Sequence, residues 1–429
     1  MENIKHILIR NAKIIDSNSK YNGQKKDVLI IDGVIKKISN TILFDLPFLE
    51  IKTENLHLSP GWLDLNCNIC EPGFEHRENI NTGLKSAAKG GFTSIVTTPN
   101  TSPPIDTKSD ILFLIEKSIN NIVEIHPTGC ITKNLEGQEI TEMYDMHIHG
   151  AVAFSDGKQS IQNAMLMNIA LDYVKNFNGL IMSNSIDVDL NQSGQINEGK
   201  VSAMNGLNPS PEIAEEVGVL RDLSILRYTK SRLHISTIST TASVKHIKQA
   251  KKENLNLTTD LAAYQIILSE ENVQDFNSYN KVMPPLRDKK TQSKLIKSII
   301  DGTIDAISSD HTPIESELKK CEFNKAEFGM IGLETVFPII NTVLKDHMNI
   351  NQITELISIN PRNIINVDIP IIKENVKANI TLFDPIKQWI YKEESIESLS
   401  KNTPFINYEF TGAVIGIINK SKVSLNQTS

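Results

Sequence analysis

The chain has 429 residues, a net charge of −7, 40% hydrophobic residues and 22% charged residues. That length exceeds the roughly 250–300 residues at which one hydrophobic core stops growing, so a large domain with a smaller companion is expected. The acidic balance argues against nucleic acid or an anionic membrane as partner, and no apolar run approaches the roughly 20 residues of a membrane span. The opening residues, Met1 to His6, lack an apolar signal segment, and 4 cysteines in so long a chain are no disulfide framework. Both features point to a cytoplasmic protein with reduced thiols.

The first elements in chain order are strands at 7–15, 27–31 and 34–38, with Asp32-Gly33 as a hairpin signal before the third. From about residue 56 the pattern becomes strand then helix, repeated. Eight short apolar strands are predicted at 56–65, 93–98, 123–129, 150–155, 180–183, 232–238, 255–261 and 304–309. Helical patterns at 79–89, 110–119, 161–174, 213–228, 243–253 and 291–300 lie between most of them. Eight such units predict an α/β fold, a (β/α)8 TIM barrel. The tail returns to strands at 378–383, 406–410 and 413–418. The economical arrangement is a small composite β-sandwich built from both termini, residues 1–55 and 375–429, against a barrel of residues 56–374.

A barrel of this kind carries its site at the carboxyl ends of the strands. Strand one ends in Asn66 and Asn68, whose spacing puts both side chains on one side of the strand. Two histidines at that spacing would grip a divalent metal; a neutral amide is a poor zinc ligand. Strand four ends in Ser155-Asp156-Gly157, and Asn184 follows strand five. Strand six carries His234 and Thr237, strand seven runs into Asp260 and Tyr264, and strand eight ends in Ser309-Asp310-His311. Asp156 and Asp310 are the carboxylates in promising positions.

Several motifs in order carry a resemblance: Ser59-Pro60-Gly61, Glu71-Pro72-Gly73, Gly90-Gly91-Phe92-Thr93, Pro99-Asn100-Thr101, Pro284-Pro285-Leu286-Arg287 and Ser309-Asp310-His311. Over nearly its whole length the chain resembles the dihydroorotases of the cyclic amidohydrolase superfamily, metal-dependent enzymes of pyrimidine (UMP) biosynthesis. That resemblance implies a zinc centre that activates water, an aspartate that shuttles the proton, and interconversion of N-carbamoyl-aspartate and dihydroorotate. The residues carry the pattern poorly. The expected zinc-ligand histidines fall on Asn66, Asn68, Asn184 and Thr237. The ligand carboxylate falls on Asp156 and the catalytic aspartate on Asp310, a vestigial candidate. Among substrate contacts Asn100 keeps its type, whereas an arginine falls on Cys70, an asparagine on Met283 and a histidine on Ile314.

The expectation is a homologue without zinc catalysis and with no cofactor. Its role would be that of a structural or regulatory partner, as non-catalytic dihydroorotase-like proteins are for aspartate transcarbamoylase; an active dihydroorotase is the other partner considered. A homo-oligomer is expected. The rival readings are an active dihydroorotase or related cyclic amidase with zinc in a non-standard site, and a metabolite-binding protein. Cys67 and Cys70, with His76 nearby, are a weak metal or redox alternative. His147 and His149 precede strand four, at the wrong end for catalysis. His234 reads as a core histidine and Arg287 as a loop anchor.

Overall fold

The computed structural model describes residues 4–426. Eight parallel strands form the barrel sheet: Trp62–Cys67, Phe92–Thr97, Glu124–Gly129, Ala153–Phe154, Ile181–Ser183, Leu233–Ile235, Leu257–Ala262 and Ala306–Ser308. They are hydrogen-bonded in sequence order. The ring is drawn together where Cys67, ending the first strand, bridges His311 beyond the eighth. Asn68 N donates to His311 O there, at 2.9 Å. Helices such as Ile80–Lys89, Ala164–Lys175, Glu212–Thr229 and Lys289–Ile300 connect successive strands. The (β/α)8 expectation holds.

The two chain ends do meet. A second eight-stranded sheet runs in the order Lys422–Leu425, Glu409–Asn419, Asn379–Ile390, His57–Pro60, His6–Ile14, Lys25–Ile31 and Val34–Ser39, with Leu49–Ile51 beside His6–Ile14. It curls until Val34 bridges Lys377. Ile7, Ile9, Val28, Ile30 and Ile35 thereby share one buried core with Ile380, Leu382, Ile415 and Ile418. Alternating apolar residues on strands from both termini close a sandwich that neither end could fill alone.

One predicted strand needs correction. Residues 56–65 are not continuous: His57–Pro60 pairs in the sandwich, and Trp62–Cys67 begins the barrel. The break is Gly61, where a Cβ would lie 1.9 Å from Asn379 Oδ1 and 2.2 Å from Thr93 Oγ1. The tail also differs, since 406–410 and 413–418 belong largely to one strand, Glu409–Asn419, followed by Lys422–Leu425. Trp62, Phe337 and Phe383 join the two bodies, with ring centroids 4.8–5.6 Å apart.

Candidate functional site

The carboxyl ends of the strands surround a pocket of about 50 Å³, room for a few water-sized groups. Asn66 and Asn68 reach it from the first strand, Asn100 from the second, Lys158 from the fourth, Asn184 from the fifth and Thr237 from the sixth. Alternation on the first strand brings Asn66 and Asn68 to the same side, as their spacing requires. Asn68 is partly spent on a local turn, its Oδ1 accepting from Cys70 N at 2.9 Å.

Asp310 is nearly buried beside this pocket and fully engaged. Asn66 Nδ2 donates to its Oδ1 at 2.9 Å and the Tyr264 hydroxyl to its Oδ2 at 2.6 Å. Lys158 Nζ lies 2.6 Å from Oδ1 and donates to the Met283 carbonyl at 2.9 Å. Burial, then the Asp310 charge, pushes the Tyr264 phenol well above its ordinary pKa, which keeps it a donor. The aspartate sits at φ 48°, in the left-handed region, as does Thr237 at φ 49°. A β-branched residue is strained there. Thr237 N donates to Asp260 Oδ1 at 2.5 Å, which helps to hold it.

Asp156 does not line the pocket. Its Oδ1 accepts from Ile131 N at 2.8 Å and Thr132 N at 3.0 Å, and its Oδ2 from the Thr132 hydroxyl. Burial raises its pKa against these bonds. The residue that enters from this loop is Lys158, which the sequence reading missed. Its signal was a cation just beyond the end of the fourth strand, four residues after Phe154.

The other candidates fall away from the chemistry. Cys67 and Cys70 are buried free thiols, and desolvation raises both, Cys70 to about 12. A thiol that resists ionisation is a poor metal ligand. His147 packs on Phe177 with centroids 4.8 Å apart, and His149 Nδ1 lies 2.7 Å from Asp145 O. His234 is wholly buried, 2.9 Å from Thr258 Oγ1 and 3.5 Å from Asp260. Arg287 donates to Ser239 Oγ, Asn197 Oδ1 and Ser210 O at 3.0–3.1 Å, anchoring loops.

The zinc implied by the resemblance does not fit this donor set. Zinc is held by imidazole, thiolate or carboxylate. The pocket lining offers amides, hydroxyls and one lysine ammonium, and the Asp310 carboxylate beside it already has three partners. Among the described residues no group of three or more His, Cys, Asp or Glu converges on a point that could hold a metal ion.

Comparison with known proteins gives the family. The dihydro-orotase-like family profile matches residues 56–243. The chain is 40% identical over 422 residues to a dihydroorotase of Caldicellulosiruptor saccharolyticus, covering 97% of this chain and 98% of that one. It is 36% identical over 414 residues to a dihydroorotase of Acetivibrio thermocellus, covering 95% and 96%. Among solved structures, the L-hydantoinase (dihydropyrimidinase) of Arthrobacter aurescens superposes with a TM-score of 0.86 at 21% identity, over 99% of this chain and 97% of that one. The dihydropyrimidinase of Brevibacillus agri gives 0.83 at 20% identity, over 98% and 95%. The structural likeness carries the fold, and the sequence identity along nearly the full length carries the kinship: this chain belongs to the dihydroorotase-like family.

Proposed function

We propose that this chain is a dihydroorotase homologue of pyrimidine biosynthesis that works without zinc catalysis, as a structural or regulatory partner of another pathway enzyme. Aspartate transcarbamoylase, the preceding enzyme, is the partner favoured by the resemblance. The observation that carries the reading is the Lys158–Asp310 contact of 2.6 Å. The aspartate expected to shuttle protons is instead saturated by an ammonium, an amide and a phenol. Cys70, buried with its thiol 4.0 Å from Pro313 O, and Met283, whose carbonyl is taken by Lys158, leave the substrate side without its charged and amide contacts.

The test is elemental analysis and an assay with N-carbamoyl-aspartate and dihydroorotate on the purified full chain. The expected result is well under one zinc per chain and no turnover. About one zinc per chain, removed by a chelator together with activity, would falsify this reading and favour an active dihydroorotase. Co-purification with aspartate transcarbamoylase from cells expressing both tests the partner.

A second reading, a metabolite-binding protein, draws on two pocket hydroxyls. Thr98 Oγ1 and Thr237 Oγ1 are buried and have no hydrogen-bond partner among the described residues. Buried polar groups left unpaired are costly, so an occupant would satisfy them. Saturable binding of dihydroorotate without turnover supports that reading.

A further inference from the structure

We propose that the barrel mouth is an ammonium site whose occupant is supplied by the chain itself: Lys158 Nζ is the resident cation, and the site takes no metal ion. The site is built from three segments that are remote in sequence. Asp310 comes from the end of the eighth strand, the Met283 carbonyl from the loop before Pro284, and Lys158 from the loop behind the fourth strand. Lys158 Nζ donates a hydrogen bond to the Met283 carbonyl at 2.9 Å and forms an ion pair with Asp310 Oδ1 at 2.6 Å, so the site offers one carbonyl that calls for an N–H donor and one carboxylate that calls for a positive charge.

The cradle is organised independently of the lysine. Asn66 and Tyr264 hold Asp310 at Oδ1 and Oδ2, and both donors are neutral. Lys158 therefore supplies the positive charge at this carboxylate. The side chain of Asp310 is 5% exposed and that of Lys158 33%. Deleting the lysine would leave a buried carboxylate with oriented donors and no counter-charge, which is the costly half of a broken ion pair. The acceptors that remain, a carboxylate and a peptide carbonyl, match a small alkylammonium ion. They do not match zinc, which calls for several nitrogen, sulfur or carboxylate ligands. The inference rests on this geometry and on the metal-free part of the proposed function, and it is independent of any partner protein.

The experiment uses the purified full chain and follows thermal unfolding of wild type, Lys158→Ala, Lys158→Met and the double variant Lys158→Ala/Asp310→Asn. The probes are ethylammonium chloride, tetramethylammonium chloride and zinc chloride, at matched ionic strength. Lys158→Ala is expected to lose about 2–6 °C. Ethylammonium at tens of millimolar should return at least half of that loss, and tetramethylammonium, which has no N–H, should not. The double variant should ignore both amines. Wild type equilibrated with zinc and desalted should retain less than a tenth of an equivalent.

Equal responses of Lys158→Ala to the two amines, or no loss of stability in either lysine variant, would overturn the proposal. So would retention of about one zinc per chain by wild type, a measurement that stands even if the lysine variants fail to fold. A protein without turnover whose lysine variants ignore ethylammonium refutes the resident-ammonium site and leaves the non-catalytic reading in place. Turnover that depends on zinc removes both.

Discussion

At the scale of single residues, the barrel interior beneath the pocket holds a carboxylate with a measurable consequence. Asp64 is wholly buried on the first barrel strand, and it accepts from Ser309 N and Ser309 Oγ at 2.6 Å each. Burial, opposed by these bonds and aided by the nearby Asp260 charge, raises its pKa from 3.8 to about 7. The folded chain therefore keeps a proton that the unfolded chain has lost. The associated stability is fully present below about pH 4 and falls as the pH rises through about 7. Asp64→Asn keeps the shape and removes the titration. Urea unfolding at pH 4.5 and pH 7.5 should show wild type losing stability relative to Asp64→Asn by up to about 4 kcal/mol. A difference that stays flat across this range would mean that Asp64 is ionised in the usual way.

At the scale of elements, the informative place is the change of sheet at Gly61. The sandwich strand His57–Pro60 and the barrel strand Trp62–Cys67 are separated by one residue. Asn379 and Thr93 close over that residue, bonded to each other at 2.7 Å. Arg362 reaches the Gly61 carbonyl at 2.5 Å, buried, so the backbone cannot move aside cheaply. Gly61→Ala should cost at least about 2 kcal/mol in urea unfolding, by overpacking rather than by any change of backbone propensity. Unchanged stability in that variant would show that the two sheets are more loosely joined than their contacts indicate.

At the scale of the whole molecule, the question is whether the fold is kept for chemistry or as a scaffold. Asp310 decides between them. An enzyme that uses it as an acid or base would lose orders of magnitude in rate in Asp310→Ala. A scaffold would lose the hydrogen bonds to Asn66 and Tyr264 and leave Lys158 unpaired, about 1–3 kcal/mol. With the native gene replaced, cells grown without pyrimidines should tolerate Asp310→Ala at normal protein levels and show a defect on deletion. Pyrimidine auxotrophy from a folded, abundant Asp310→Ala protein would mean that the residue still does chemistry. The partner, and any homo-oligomer, would be read from the same strain by size-exclusion chromatography of the tagged chain. Among the described residues no helix is long and apolar enough to cross a membrane.

Most of the barrel was legible because its signals are local. Apolar runs of four to eight residues alternate with helical periodicity, and the asparagines at 66 and 68 keep a spacing whose geometry follows from the strand itself. The broken strand at Gly61 was not legible, because it shows only in the pairing: His57–Pro60 pairs with Asn379–Ile390, more than three hundred residues away, while Trp62–Cys67 pairs with Phe92–Thr97. The site divides in the same way. Residue types at strand ends sufficed to expect Asn66, Asn68, Asn184 and Thr237 around one pocket. They did not disclose that Asp156 turns toward Ile131 and Thr132, or that Lys158 crosses to Asp310 and Met283. The sequence by itself determined the period of the elements and the chemistry available at each strand end. The tertiary structure decided which charges meet, because Lys158, Met283 and Asp310 come together only when the barrel closes.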